Sequence, residues 1–221
     1  MAEDVPLEIE LKYRLTNWRQ VHDLVPKLPT PEAHFTQTNF YLDDPKRSLR
    51  QAKIMLRARE ITFPVGMAKG LGKPPVTITA KRRVKAPKDG LFINEERQQV
   101  MHIDDWRAVQ YGKETLELTG PALGWVAEQV PSLSKLRVLG TAENIRWQIY
   151  SDVFKLEIDK TVFSNGDIEA EVECETELPD AARAHIEALL KQHHIEFKPS
   201  TQGKYSRFLE KFEGVSDWHG D

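Results

Sequence analysis

The sequence predicts an α+β protein: an antiparallel sheet of about eight strands, closed into a barrel that forms a tunnel, with helices packed on its outside. Three observations carry this. Strands such as Leu7 to Arg14 (LEIELKYR) alternate apolar and charged residues without a break. Most strand candidates are neighbours in sequence, joined by turn signals or helices. Two amphipathic helices need apolar partners, which only the uncharged faces of those strands supply.

The elements follow in order. After the opening strand, Thr16-Asn17 offers an N-cap, and Trp18, Val21, Leu24, Val25 and Leu28 recur at helical spacing until Pro26, Pro29 and Pro31 end the run. His34 to Leu42 and Lys53 to Thr62 read as strands around the turn Asp43-Asp44-Pro45. Phe63 to Pro75, rich in Gly, Pro and Lys, reads as a loop. Val76 to Lys85 and Leu91 to Met101 are strands joined through Lys88-Asp89-Gly90. Short helices are expected over Asp104 to Glu117 and Pro121 to Val130. Leu136 to Val138, Ile145 to Ser151, Phe154 to Phe163 and Asp167 to Leu178 supply further strands, with Asn165-Gly166 a hairpin signal. Pro179 to His193 is an amphipathic helix with Ala182, Ile186, Leu189 and Leu190 on one face. The expected organisation is one domain over residues 1–213 and a polar tail over 214–221.

Composition removes several classes. The chain has 221 residues and an apolar share of 40%, enough for a sizeable core. Without a long apolar run or a signal-like start, a cytoplasmic protein with no membrane partner is expected. The single cysteine, Cys174, excludes an internal disulfide and a cysteine-rich zinc site. A net charge of −3 gives no global attraction to nucleic acid. The charges are segregated all the same, acidic over Glu169 to Glu177 and basic over Lys81 to Lys88.

That segregation raises the question of which face is inside. In Asp167 to Glu177 every odd position is acidic; carboxylates ~6.6 Å apart repel by ~0.6 kcal/mol per pair in water and ~2.5 at an effective dielectric near 20. Inside a cavity they need cations. Arg57 and Arg59 share one parity, as do Lys81, Arg83 and Lys85, and Arg146 stands in the strand IRWQIY. If helices cover the outside, charged faces turn inward and form a tunnel with an acidic and a basic wall. Such walls suit a polyphosphate bound as a metal complex, with carboxylates on the cation and Arg and Lys on phosphate oxygens. Periodicity alone also allows an open sheet whose charges face water.

Glu8-x-Glu10-x-Lys12 resembles the ExExK signature of the CYTH superfamily, the triphosphate tunnel metalloenzymes. Arg57-x-Arg59, Lys81, Arg146, Asp159, Glu171-x-Glu173 and Lys204 in GKYSR follow in the family's order, covering Glu8 to about Phe208. ENIRWQIY, LEIDKTVFSNGD and EVECETELPD are most similar to the plant-type tripolyphosphatase members. The resemblance implies an eight-stranded antiparallel tunnel and metal-dependent hydrolysis of inorganic triphosphate to pyrophosphate and orthophosphate. It implies Glu8, Glu10, Glu171 and Glu173 as ligands of Mg²⁺ or Mn²⁺, assisted by Asp159, and Lys12, Arg57, Arg59, Lys81, Arg146 and Lys204 on the triphosphate. Glu171, Lys81 and Tyr41 are the catalytic candidates it suggests. The partner is then a small-molecule triphosphate, and the chain a monomer or homodimer.

Departures bear on substrate. Met55 stands where animal thiamine triphosphatases have a tryptophan, so a thiamine ring loses a cation–π partner worth ~1 kcal/mol unless Trp147 or Phe63 replaces it. Thiamine and nucleoside triphosphatase, RNA 5′-triphosphatase, class IV adenylyl cyclase and a non-catalytic polyphosphate-binding module are the alternatives. Glu96 is a possible further tunnel acid, while Lys135 and Arg137 read as surface charges. His193-His194 lack a third ligand, Cys174 has apolar parity, and Lys69 to Lys73 is no Walker loop.

Overall fold

The computed structural model describes residues 7–64 and 74–213. The greater part of the expected Phe63 to Pro75 loop, including Lys69 to Lys73, and the polar tail lie outside the described residues. In chain order the elements are β1 (Leu7–Leu15), α1 (Gln20–Leu24), β2 (Ala33–Asp43), α2 (Ser48–Gln51), β3 (Ile54–Thr62), β4 (Val76–Arg83), β5 (Leu91–Met101), α3 (Ile103–Gln110), α4 (Gly120–Gln129), β6 (Arg137–Ser151), β7 (Phe154–Phe163), β8 (Ile168–Glu175), α5 (Pro179–Gln192), β9 (Phe197–Pro199) and α6 (Lys204–Glu213).

The strands form one antiparallel sheet in the order β5-β4-β3-β2-β6-β7-β8-β1-β9, and β5 also pairs with β1. That last pairing closes eight strands into a barrel and leaves the short β9 as a flap on the end of β1. Closure satisfies the edge strands and separates an inner from an outer face. The expected α+β barrel is the structure found.

Apolar parity faces out. Leu11, Tyr13 and Leu15 of β1, Leu156 and Ile158 of β7 and Val172 and Cys174 of β8 pack under α1 and α5. Leu56 and Ala58 of β3 and Ile78 and Ala80 of β4 pack under α3 and α4 around Trp106 and Leu123. Burying these sets leaves the charged parity no place but the interior, so the open-sheet alternative is excluded. No described helix is long and apolar enough to cross a membrane.

Several boundaries depart from expectation. The strands expected over Leu136 to Val138 and Ile145 to Ser151 are joined in one, β6 from Arg137, because β2 pairs along its length and β7 from Ala142 onward, holding Gly140 and the weak strand formers Ala142 to Asn144 extended. The register shift between Tyr41 and Leu42 absorbs the irregularity at Gly140. The helix expected to Glu117 stops at Gln110, where Gly112 takes a left-handed φ of 70°. α1 is cut to one turn and continues as a 3-10 turn through Pro26. β4 ends at Arg83 and β8 at Glu175, short of the expected Lys85 and Leu178. The Asp89-Gly90 turn and Gly166 hold the expected positive φ. α2, β9 and α6 were not expected.

α6 matters most among these. Its Tyr205, Phe208 and Leu209 pack on Tyr41, Met55, Ala142 and Phe163, which lie on inward parity, so this helix caps one end of the barrel. Phe208 and Phe212 close on Gly140, where an added Cβ would lie 3.0 Å from the Phe208 ring.

Candidate active site

The interior holds a cavity of about 280 Å³. Of the residues singled out from the sequence, Glu8, Glu10, Lys12, Tyr41, Arg57, Arg59, Lys81, Arg146, Glu173 and Lys204 line it. Asp159 and Glu171, 0% and 1% exposed, sit behind that wall. Register explains the assembly: Lys12 faces Glu173, Asp159 faces both Glu171 and Arg146, and Lys81 faces Glu96. Each pairing sets inward side chains of neighbouring strands within reach.

The acids divide into two groups. Asp159, Glu171 and Glu173 each bring a carboxylate oxygen within 4.8 Å of the others. Glu8 and Glu10 stand apart beside Asn94, whose amide donates to Glu8 at 3.0 Å and to Glu10 at 3.1 Å. Both groups are held by cations. Lys204 Nζ lies 2.6 Å from Asp159 and 2.9 Å from Glu173, and also contacts Glu171. Arg146 forks onto Asp159 at 2.6 and 2.7 Å and reaches Glu173 at 2.8 Å and Glu157. Lys12 bridges Glu10 at 2.9 Å and Glu173 at 2.7 Å; Lys81 bridges Glu8 at 2.5 Å and Glu96 at 2.6 Å.

Burial penalises the charges of Glu173, Asp159, Lys12, Lys81 and Lys204, and the pairing overrides it. Burial pushes the Glu173 carboxyl up, but Lys12, Lys204 and Arg146 hold it well below the usual carboxylate range. Asp159 is likewise depressed by Arg146 and Lys204 against its burial. Against the same penalty, Lys12, Lys81 and Lys204 are raised above the usual lysine value by the surrounding carboxylates. All three lysines are therefore protonated at neutral pH.

The basic wall differs. Arg57 and Arg59 have no carboxylate partner among the described residues; Arg59 Nε donates to Asn39 Oδ1 at 2.8 Å, and Arg57 Nη2 reaches Thr79 Oγ1 at 3.4 Å. Burial, with Arg57 and Arg146 beside it, pulls the Arg59 guanidinium down to about 9. Both guanidinium groups are thus half-buried with no carboxylate counter-charge among the described residues.

Tyr41 lines the cavity, with its ring packed on Tyr205 and Phe208 at centroid distances of 5.0 and 4.5 Å. Trp147 stacks on His34 at 5.0 Å, and Phe63 packs on Phe35 at 5.8 Å. Neither lines the cavity, so neither replaces the aromatic plane missing at Met55, which does. Lys135 and Arg137 are exposed, as expected of surface charges, whereas Glu96 lines the cavity. Cys174 is 0% exposed on the outer face of β8, and burial pushes its thiol up to about 11. It is a core residue and no nucleophile.

The sequence reading missed Arg207. It is 2% exposed and holds Glu171 and Glu169, each at 2.7 Å. Its signal was present in the helical recurrence of Tyr205, Phe208, Leu209 and Phe212, which places Arg207 one turn after Lys204. Glu157 and Asn94 were likewise not assigned to the site, whereas Arg83, placed on the basic wall by its parity, lines the cavity.

Comparison with known proteins agrees with this geometry. HpAC1 of Hippeastrum, proposed as an adenylyl cyclase and found to have a dominant triphosphatase activity, superposes with a TM-score of 0.80 at 22% identity, over 91% of this chain and 94% of its own. A Bacillus halodurans protein described as a candidate adenylate cyclase gives 0.66 at 20% identity, over 91% and 98%. A Pyrococcus horikoshii protein gives 0.57 at 16%, over 92% and 99%. At these identities the likeness establishes the fold alone. Comparison with curated proteins gives no match. The CYTH domain model matches residues 6–205, and the chain belongs to the CYTH domain family.

Proposed function

We propose that this chain hydrolyses inorganic triphosphate to pyrophosphate and orthophosphate with Mg²⁺ or Mn²⁺. The observation that carries the reading is one cavity with Glu8, Glu10 and Glu173 on one side, Glu173 backed by the converging Asp159 and Glu171, and with Arg57 and Arg59, unpaired with carboxylates among the described residues, on the other. The three converging carboxylates are hard oxygen donors of the kind small divalent cations take, and Glu8 and Glu10 extend the same wall. Such a cation, when bound, supplies charge neutralisation at the phosphates and a more acidic attacking water.

The chain's own residues account for the rest of the chemistry. Arg57 and Arg59 fork onto phosphate oxygens, and no internal ion pair has to be broken for them to do so. Lys12, Arg146 and Lys204, which now hold these carboxylates, would share their N–H donors with the phosphates once the carboxylates held a cation. Lys81, held protonated by Glu8 and Glu10, serves as a cation and proton donor toward the departing pyrophosphate and not as a base. Glu171 is released from Lys204 to orient water, and Tyr41 frames the phosphate end of the cavity. Positioning and charge neutralisation dominate phosphoryl transfer, and this interior supplies both. Met55 offers a thiamine head group no aromatic plane, and of the rings that do line the cavity Tyr41 and Tyr205 pack on each other while Phe92 already carries Lys12 and Arg83, which favours bare phosphate.

The test is release of orthophosphate from tripolyphosphate, ATP and thiamine triphosphate, with and without Mg²⁺ or Mn²⁺. Metal-dependent release, fastest from tripolyphosphate and reduced at least ~100-fold in Glu171→Ala, is expected. Cyclic AMP and pyrophosphate from ATP, with no orthophosphate from any substrate, would replace the hydrolase by a cyclase. Metal-independent binding without turnover would leave a polyphosphate-binding module.

A further inference from the structure

Beyond the basic wall already described, two more cations line the same cavity: Arg83 and Lys53. Arg83 is the inward residue of β4 after Lys81, and its side chain leans on the Phe92 ring at 5.4 Å. Its Nε is buried without a hydrogen-bond partner, and no carboxylate pairs with it among the described residues. Burial pulls this guanidinium below its ordinary value, opposed only by the more distant Glu10. Lys53 precedes β3, in the register position that continues Met55↔Lys81 and Ile54↔Arg82 toward Arg83. Its backbone takes a left-handed φ of 57°, unusual for lysine, where Lys53 N donates to Arg50 O to close α2. Lys53 has no ion pair among the described residues.

These two cations stand at a different height from Arg57 and Arg59. Arg57 pairs with Thr79 and Arg59 with Thr77, so the ladder climbs from Arg59 through Arg57 and the Met55–Lys81 level to Lys53 and Arg83. Arg83 is four residues along β4 from Thr79, a rise of ~13 Å. Lys81, the last residue of this ladder assigned to the triphosphate, already lies four β4 residues beyond Thr77, the partner of Arg59, and Arg83 and Lys53 stand one further two-residue step, ~6.6 Å, past it.

The geometry points to a second anion subsite, formed by Arg83 and Lys53, that takes the fourth and later phosphates of a linear polyphosphate whose first three occupy the triphosphate site. This rests on the triphosphate reading for the first three positions. A substrate ending in a neutral or cationic group would leave Arg83 buried without a counter-charge, so the subsite selects for chain length.

The test is calorimetric titration of the intact chain, in excess Mg²⁺, with tripolyphosphate and with tetrapolyphosphate, for wild type and for Arg83→Gln/Lys53→Gln. Wild type is expected to bind tetrapolyphosphate at least tenfold more tightly than tripolyphosphate, and the double variant to lose most of that ratio. Equal affinities in wild type, or an unchanged ratio in a folded double variant, would overturn the subsite. If the double variant fails to fold, the single Lys53→Gln, at an exposed position, is expected to lose part of the ratio, and an intact ratio there overturns the proposal. A 5′-triphosphorylated oligonucleotide binding more tightly than tetrapolyphosphate, and losing that advantage in the variant, would assign the cations to an RNA backbone and equally overturn it. Binding is read without turnover, so absence of hydrolysis would remove the triphosphatase reading while this ratio still reports on the subsite.

Discussion

At the scale of single residues, the site stores cost where a ligand will recover it. Arg59 is half-buried beside Arg57 and Arg146 and has an amide, Asn39, as its hydrogen-bond partner. Such a group lowers the stability of the ligand-free protein, and on the proposed triphosphate reading it gains a counter-charge from the substrate. Arg59→Gln keeps reach to Asn39 and removes the charge. It is expected to raise the stability of the ligand-free chain by ~0.5–2 kcal/mol, read as a higher denaturant midpoint. The same change should raise KM for triphosphate at least ~10-fold, since a charge-assisted hydrogen bond is worth ~1.5–3 kcal/mol. Lower stability with unchanged KM would show that Arg59 is a packing residue. Glycine is constrained at one point in the same way: a Cβ at Gly90 would lie 2.7 Å from Lys12 O, at a φ of +78°. The turn from β4 into β5, which packs on β1 at Lys12, therefore admits little else.

At the scale of elements, α6 is the piece that joins fold to chemistry. Its apolar stripe caps the barrel, and its polar side delivers Lys204 and Arg207 to the acidic wall. A lysine in the first turn opposes the helix dipole, a local cost that the three carboxylates around Lys204 override. Arg207 ties this helix to β8 through Glu171 and Glu169. Arg207→Ala leaves Glu171 short of a buried partner and is expected to cost ~3–5 kcal/mol. It should also speed amide exchange over residues 204–213 before the barrel strands are affected. Uniform exchange across the chain in the variant would show that α6 is not a separable unit.

At the scale of the whole molecule, an interior of opposed charges makes stability a dome in pH. Asp159 and Glu173 have depressed pKa values in the folded state, so their contribution is complete above the unfolded carboxylate range of ~4 and is lost as pH falls below it. On the alkaline side the folded chain holds protons that the unfolded chain gives up. Cys174 keeps its thiol proton up to about 11, so stability falls as pH rises from ~8.5. Lys12 and Lys204, raised by their carboxylates, add to the loss above ~10.4. Denaturant midpoints are expected to be highest between pH ~5 and ~8, with Cys174 alkylated at pH 8 only after unfolding. Rapid alkylation of the native chain would place Cys174 outside the core.

The sequence by itself determined the barrel architecture, through alternation, helices that need apolar partners and the resemblance that chose a tunnel over an open sheet. Parity put Glu8, Glu10, Lys12, Arg57, Arg59, Lys81, Arg146 and Glu173 on the charged faces of their strands, and the structure turns those faces to the cavity. The joining of β6 across Gly140 was not legible, since pairing with β2 overrides local propensity there. Nor was the division of the acids into two groups, the hold of Arg207 on Glu171, or the place of Lys53 opposite Arg83. Those depend on inter-strand register and on where α6 docks. Parity assigns a face to each side chain, but its height within the barrel, and so its partner, is decided only when the strands close.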